Sequence, residues 1–290
     1  MSLTPTRHAW RNLGLDLVYH AWGDEDAPVV IFLHGFLDHG LSFDPVARVL
    51  ARHYRVIAPD HRGHGQSGRV GAGGYYHFPD YLLDLSRLVD DLETPRAAII
   101  GHSMGASIAA YFAGAWPERT GALVLLDGIG PTAVPPERGP ALLRRWVNDV
   151  KLSEARDDQA MPDLATVARR VARTSPNASE ARLLELAKDS AVQGEDGQWR
   201  WRFDPLHRTT GPMPFDAARF GAFLRAVTCP TLVVWGEQSP MRPPDAEARM
   251  QMLADVTRYE LAGAAHNLHH ERPAELAVTL SAFLTSRYAS

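Results

Sequence analysis

Five short segments of the chain are apolar at nearly every position: Val29-Val30-Ile31-Phe32-Leu33, Tyr54-Arg55-Val56-Ile57-Ala58, Ala97-Ala98-Ile99-Ile100, Ala122-Leu123-Val124-Leu125-Leu126 and Thr231-Leu232-Val233-Val234-Trp235. Strands with so little polar alternation are covered on both faces. The stretches between them have apolar residues at helical spacing, as in Phe43 to His53 and in Tyr81 to Leu92, where Leu82, Leu85, Leu88, Val89 and Leu92 form one stripe. This alternation predicts an α/β fold with a mostly parallel, doubly wound sheet. Upstream, Arg7 to Trp22 alternates in polarity around an Asn-Leu-Gly turn, which predicts an antiparallel hairpin.

The alternation stops at residue 130. Prolines crowd the next stretch (Pro131, Pro135, Pro136, Pro140), and three helical stripes follow with no apolar strand between them. The first holds Leu142, Leu143, Trp146, Val147 and Val150; the second Leu164, Val167, Ala168 and Val171; the third Leu183, Leu186 and Ala187. Trp199, Trp201 and Phe203 then alternate with Arg200 and Arg202, the period of a one-sided extended segment. The expected organisation is a core over 1–129 and 215–290 with a helical cap over 130–214 inserted as a lid. The aromatic residues Trp146, Trp199, Trp201, Phe215, Phe220 and Phe223 suggest an apolar pocket, although such residues more often serve the core.

Composition narrows the function classes. A net charge of −4 gives no reason to expect a polyanionic partner such as nucleic acid. The N-terminal stretch has no apolar signal core and no run reaches the ~20 apolar residues of a membrane span, so a cytoplasmic protein without membrane attachment is expected. The single cysteine, Cys229, excludes an internal disulfide and, next to an apolar strand, is expected to pack in the core.

The chemistry gathers at the ends of the apolar strands, where open α/β sheets bind ligands. The strand ending at Ile100 runs into Gly101-His102-Ser103-Met104-Gly105 and then into the small, apolar stretch Ala106 to Ala113. That is G-x-S-x-G between a strand and a helix, the context in which a serine is exposed on a strained turn and flanking side chains would collide with neighbouring elements. Other strand ends carry His34-Gly35-Phe36, Asp60-His61-Arg62-Gly63-His64-Gly65 and Asp127-Gly128, and a late loop carries Gly263-Ala264-Ala265-His266.

Taken together, these segments resemble the capped α/β-hydrolases nearly from end to end. His34-Gly35-Phe36 resembles the oxyanion loop, Asp60 to Gly68 the turn after the next strand, Gly101 to Gly105 the nucleophile elbow, and His266 to Pro273 the catalytic-histidine segment. The HGFLDHG stretch over 34–40, Tyr75-Tyr76-His77-Phe78 and the proline-rich start of the cap are similar to the serine hydrolase-like group.

The resemblance implies a triad in the chain order serine, acid, histidine. Ser103 and His266 take two places. In the commonest layout the acid follows the last strand in a segment like W-G-E-x-D, but here the chain reads Trp235-Gly236-Glu237-Gln238-Ser239, with serine where the carboxylate is expected. Some relatives place the acid one strand earlier, and Asp127 stands there; Asp127 is therefore the expected acid, with Glu237 or no residue as the alternative. The backbone N–H groups of Phe36 and Met104 are expected to form the oxyanion hole. His34 is expected to support that loop by hydrogen bonding, His102 to line the pocket, and His269 to pack or act through a neighbour. A metal role for His269 and His270 lacks the accompanying H-E-x-x-H pattern, so no metal and no cofactor is expected. The implied activity is cleavage of a carboxylic ester, thioester or lactone of a small apolar substrate through an acyl-enzyme on Ser103. A serine at the elbow argues against dehalogenase or epoxide hydrolase chemistry, which resembles an aspartate nucleophile. The alternatives are hydrolysis of a carbon–carbon bond with the same triad and a catalytically weak ligand-binding protein. A homodimer stays open.

Overall fold

The computed structural model describes residues 4–154 and 160–288, with the side chain of Glu154 excepted. Residues 1–3, 155–159 and 289–290, which fall in the expected core and cap, lie outside the described residues.

The chain opens with the hairpin β1 (Thr6–Asn12) and β2 (Leu15–Trp22), then alternates β3 (Val29–Leu33), α1 (Asp44–Leu50), β4 (Arg55–Asp60), α2 (Phe78–Asp91), β5 (Ala97–His102), α3 (Met104–Ala115) and β6 (Thr120–Leu126). Three helices follow without an intervening strand: α4 (Gly139–Glu154), α5 (Leu164–Ala172) and α6 (Glu180–Ser190). The short pair β7 (Ala191–Gln193) and β8 (Trp199–Trp201) comes next, and α7 (Ala217–Ala226), β9 (Thr231–Gly236), α8 (Ala246–Met250), β10 (Val256–Leu261), α9 (Leu268–Glu271) and α10 (Pro273–Arg287) complete the sheet and its cover.

Eight strands form one sheet in the order β1-β2-β4-β3-β5-β6-β9-β10. The pairs β1/β2 and β2/β4 are antiparallel and the others parallel. This is an α/β-hydrolase fold, a mostly parallel doubly wound sheet. Successive residues of each central strand enter opposite layers, as the pleat requires. Ile31, Leu33, Ile57, Ile99, Leu123, Leu125 and Val233 pack with α2, α3 and α7 on one face. Val30, Phe32, Val56, Ala58, Ile100, Val124 and Val234 pack with α1 and α10 on the other. Both layers need apolar residues, which is why these strands show no alternation in sequence.

The segment between β6 and α7 has a hydrophobic cluster of its own, built by Met161, Val167, Val171, Leu186, Trp201 and Phe203, with Leu37 from the loop after β3 packed against it. Polar bonds join this segment to the sheet. Arg69 Nη2 donates to the carbonyls of Trp201, Arg202 and Phe203, Tyr76 Oη to the Asp204 carboxylate, and Arg182 Nη2 to the Ser42 carbonyl. Of the aromatic residues considered for a pocket, Phe220 is fully buried against Tyr111 and Phe215 in the core layer. Cys229 is buried as expected, and desolvation pushes its thiol up to about 11. Among the described residues no helix is long and apolar enough to cross a membrane.

The turn from β5 into α3 tolerates only glycine at two positions. A Cβ on Gly101 would lie 2.2 Å from the Gly105 carbonyl oxygen, and one on Gly105 would lie 2.1 Å from that of Leu33. Both obstacles are packed backbone, one in the first turn of α3 and the other at the end of β3, so they cannot move aside. Gly105→Ala is therefore expected to destabilise the fold by about 2–3 kcal/mol, as overpacking in a rigid core does. Gly139→Ala, whose Cβ meets nothing within 4 Å, is expected to stay within about 0.5 kcal/mol of the parent. Urea denaturation of the two variants reads the difference, and equal midpoints would refute the steric account.

Candidate active site

Adjacent strands deliver the site. β5, β6 and β9 are neighbours, and all three end on the same edge of the sheet. Ser103 follows β5 with φ 52° and ψ −109°, outside the regions that L-residues favour. Its N–H donates to the Leu126 carbonyl at 3.0 Å, which ties the turn to the end of β6. One residue further along β6, Asp127 also has positive φ, at 45°, and its N–H donates to the Val234 carbonyl of β9 at 2.8 Å. These two strained residues face the loop between β10 and α9, which holds His266.

The structure brings Ser103, His266 and Asp127 into one chain of hydrogen bonds. Ser103 Oγ lies 3.0 Å from His266 Nε2, and His266 Nδ1 lies 2.5 Å from Asp127 Oδ2. Ser103 and His266 are partly exposed, whereas the Asp127 carboxylate is fully buried. With Nδ1–H donated to a carboxylate, the Nε2 lone pair is left to accept the serine proton. Glu237, the alternative acid, is exposed and accepts from the Gly263 N–H at 2.8 Å, so it is turned away from this chain.

Asp127 has two further partners. Its Oδ1 accepts from the Gly236 N–H at 3.0 Å, and its Oδ2 from the Ser239 hydroxyl at 2.5 Å. Ser239 is the residue that stands where the common pattern puts the acid. Sequence reasoning saw it only as a missing carboxylate. Its relation to Asp127 becomes visible once β6 and β9 are known to be neighbours.

The loop after β3 runs against the elbow. A Cβ on Gly35 would lie 2.6 Å from His102 Nδ1 and 3.3 Å from Ser103 Cβ, so this backbone passes close by the serine and continues into Phe36. Phe36 itself presents a half-exposed ring, 6.4 Å edge-on from His207. Met104 is the first residue of α3, where an N–H has no intrahelical partner. His34 Nε2 accepts from the His61 N–H at 2.9 Å, and its Nδ1 lies 2.8 Å from the Gly35 carbonyl, so the imidazole bridges the loops after β3 and β4.

His102 does not line a pocket as expected. It is buried, and its Nε2 lies 2.9 Å from the His266 carbonyl, fixing the backbone of the histidine rather than facing open space. His269 Nε2 is bonded to Asp38 Oδ2 at 2.9 Å, and Ser42 Oγ donates to the same oxygen at 2.9 Å. His270 Nε2 lies 3.4 Å from that carboxylate, while its Nδ1 is 2.8 Å from Ser175 Oγ. Asp38, His269 and His270 offer ligand atoms within 4.8 Å of one another. Their hydrogen bonds make the group a clamp between the loop after β3, α9 and the segment between α5 and α6 that holds Ser175. In the sequence Asp38 stands inside HGFLDHG, and nothing in its local pattern marks a partner more than two hundred residues away.

Desolvation holds seven histidines below the ordinary imidazole value: His34, His39, His64 and His102, together with His61 and His207 at about 4 and His269 at about 3. Each is neutral in the folded protein at pH 7 but takes up a proton near 6.5 when the chain unfolds. A folded-state value below the unfolded one gives stability that is complete above pH 6.5 and is lost as pH falls toward 4, by up to about 1.4 kcal/mol per pH unit for each histidine. Thermal melts between pH 7.5 and 5 are expected to show a steep fall in Tm beginning near 6.5. A flat Tm across that range would contradict the burial of neutral imidazoles.

Comparison with known proteins agrees with this architecture. Residues 28–273 match the sequence profile of the alpha/beta hydrolase fold. The chain is similar to a serine hydrolase-like protein of Dictyostelium discoideum, at 27% identity over 93% of this chain and 79% of that protein. It is also similar to the 3-hydroxybutyrate-oligomer hydrolase of Cupriavidus necator, at 31% identity over 90% of each chain. Among solved structures it superimposes on a hypothetical protein of Pseudomonas aeruginosa PAO1 with a TM-score of 0.88 and 28% identity, covering 97% of this chain and 99% of the other.

Proposed function

Because the chain belongs to the α/β-hydrolase fold family, we propose that it is a serine hydrolase that cleaves carboxylic esters through an acyl-enzyme on Ser103. The observation that carries this reading is the unbroken chain from Ser103 Oγ through both nitrogens of His266 to the buried Asp127 carboxylate. A serine hydroxyl is a weak nucleophile until a positioned base takes its proton, and the imidazole serves only in the tautomer that Asp127 selects.

In the proposed reaction, Ser103 Oγ bonds to the acyl carbon as its proton passes to His266 Nε2. Imidazolium forms against the Asp127 carboxylate, and the oxyanion faces the backbone N–H groups of Phe36 and Met104. The bond to the alcohol oxygen then breaks, and Nε2 returns the proton to that oxygen. Water attacks the acyl-enzyme in the same way, with its proton passing to Nε2 and then to Ser103, which releases the acid. Every proton is thus carried by His266, and no cofactor enters the balance.

The relative from Cupriavidus necator is named for hydrolysis of 3-hydroxybutyrate oligomers, whose units are joined by ester bonds. That relation supports short acyl esters as first probes. The helical segment over 130–214 is proposed as the lid above them, since Leu37 of the loop that passes Ser103 packs against its hydrophobic cluster.

With p-nitrophenyl butyrate as substrate, Ser103→Ala is expected to lower kcat/KM about 10⁴-fold or more while leaving the Tm near that of the parent. Asp127→Asn is expected to cost at least about 10²-fold, because an amide favours the wrong tautomer, and Glu237→Gln less than about threefold. Parent-like turnover by Ser103→Ala would sink the acyl-enzyme reading. The reverse ranking of the two acid variants would move the acid to Glu237.

A further inference from the structure

We propose that Ser239 is a positioning residue for the triad: its hydroxyl shares Asp127 Oδ2 with His266 Nδ1, occupying the second place around that histidine from which an acid could act. The inference rests on the serine hydrolase reading and concerns a residue outside the triad.

The direction of the hydrogen bonds is forced. Ser239 Oγ accepts from the Met241 N–H at 3.2 Å, and a hydroxyl has a single hydrogen to give. An ionised carboxylate only accepts, so that hydrogen goes to Asp127 Oδ2, 2.5 Å away. The seat is built by backbone. The Ser239 N–H donates to the Gly236 carbonyl at 3.1 Å, and that of Gln238 to the Ala264 carbonyl at 2.9 Å, two residues before His266. Gly236 packs so closely on Ala265 that an added Cβ would lie 2.2 Å from its carbonyl oxygen. The loop after β9 therefore holds Ser239 in register with His266 as well as with Asp127.

Two effects follow. Bonds to Gly236 N–H on one oxygen and Ser239 on the other stop the carboxylate from rotating about its Cβ–Cγ bond. The Ser239 hydroxyl also withdraws charge from the oxygen that faces Nδ1. A carboxylate relieved of that donor holds imidazolium more strongly, so His266 would stay protonated to higher pH and be a base over a narrower range. The other titratable groups around the pair are few among the described residues. His102 from β5 lies 4.8 Å from the His266 ring and is kept neutral by burial; behind it stand His269, His270 and Asp38, and Glu237 is bonded to Gly263.

The test is the pH dependence of kcat/KM for p-nitrophenyl butyrate, whose acid limb reports His266 in the free enzyme. Ser239→Ala is expected to shift that limb upward by about half a unit to one unit and to lower the plateau about three- to tenfold. Ser239→Thr keeps the hydroxyl and is expected to keep the limb of the parent. A limb unmoved by Ser239→Ala, or moved as far by Ser239→Thr, overturns the proposal, because loss of packing alone lowers the plateau without shifting the limb. A second pair of variants reads the same seat without relying on the shift. The exchange Asp127→Ser with Ser239→Asp is expected to be at least tenfold more active than Asp127→Ser alone, and equal activity overturns the placement of position 239. Ser103→Ala accompanies each series. If it keeps activity, the hydrolase reading fails; if it is inactive and the limb does not move, only the role of Ser239 fails.

Discussion

The geometry of the site depends on one backbone conformation, the left-handed turn at Ser103. A non-glycine residue at φ 52° carries strain of about 1–3 kcal/mol and persists only where the surroundings leave no alternative. Here those surroundings are the two glycine contacts that let α3 lie against β3 and β5, and the hydrogen bond from Ser103 N–H to the end of β6. The turn lifts the hydroxyl out of the sheet edge, and α3 leaves with an unpaired N–H at its first residue beside that hydroxyl. The raised Ser103 hydroxyl and the helix N-terminal N–H beside it are thus products of one constraint. A relaxed turn at this position would abolish both together.

Asp127 repeats the device on the next strand. Its positive φ turns the side chain back under His266, while its N–H is held by β9 and its carboxylate by the loop after β9. In the proposed triad, an acid on β6 in place of β9 does not dispense with β9. The later strand still supplies Gly236 N–H and the Ser239 hydroxyl, and it brings the backbone before His266 into place. What differs from the common layout is which of two adjacent strand ends bears the charge. Adjacent parallel strands end about 4.8 Å apart, within the reach of one side chain, so either can serve the same imidazole.

The parts of this arrangement that depend on local pattern are legible in the sequence. All five apolar runs are sheet strands, and the glycine-flanked serine, the hairpin and the three helical stripes after residue 130 all appear as elements where expected. β10 was invisible because Val256 to Leu261 lies at the sheet edge with Arg258, Tyr259 and Glu260 exposed, so it has neither an apolar run nor clean alternation. The apolar stripe within Tyr81 to Leu92 leaves out the first turn of α2, which begins at Phe78 with Pro79 in that turn and Asp80 as the acidic partner of a capping box on His77. The choice of Asp127 over Glu237 could be framed from the strand order but rested on no local signal. The roles of Ser239, Asp38 and His102 are contacts between distant segments. They follow from topology and not from spacing, which is why His102 was read as facing a pocket.

The seven residues from His34 to Gly40 link the candidate site to the helical segment after β6. Gly35 lies against Ser103 and His102, Leu37 packs against the hydrophobic cluster of that segment, and Asp38 is bonded to His269 on α9, three residues after His266. Leu37, with φ 63°, is the third residue of this region in the left-handed conformation, and it allows the side chains on either side of it to leave in different directions. The backbone beside the serine is therefore tied at once to the helical segment after β6 and to the helix that follows His266. That segment also meets the core through polar bonds of Arg69, Arg182, Tyr76, His270 and Asn267 and through the His207 ring packed against Tyr76 and His64, so the loop that passes Ser103 is one of several ties between the two.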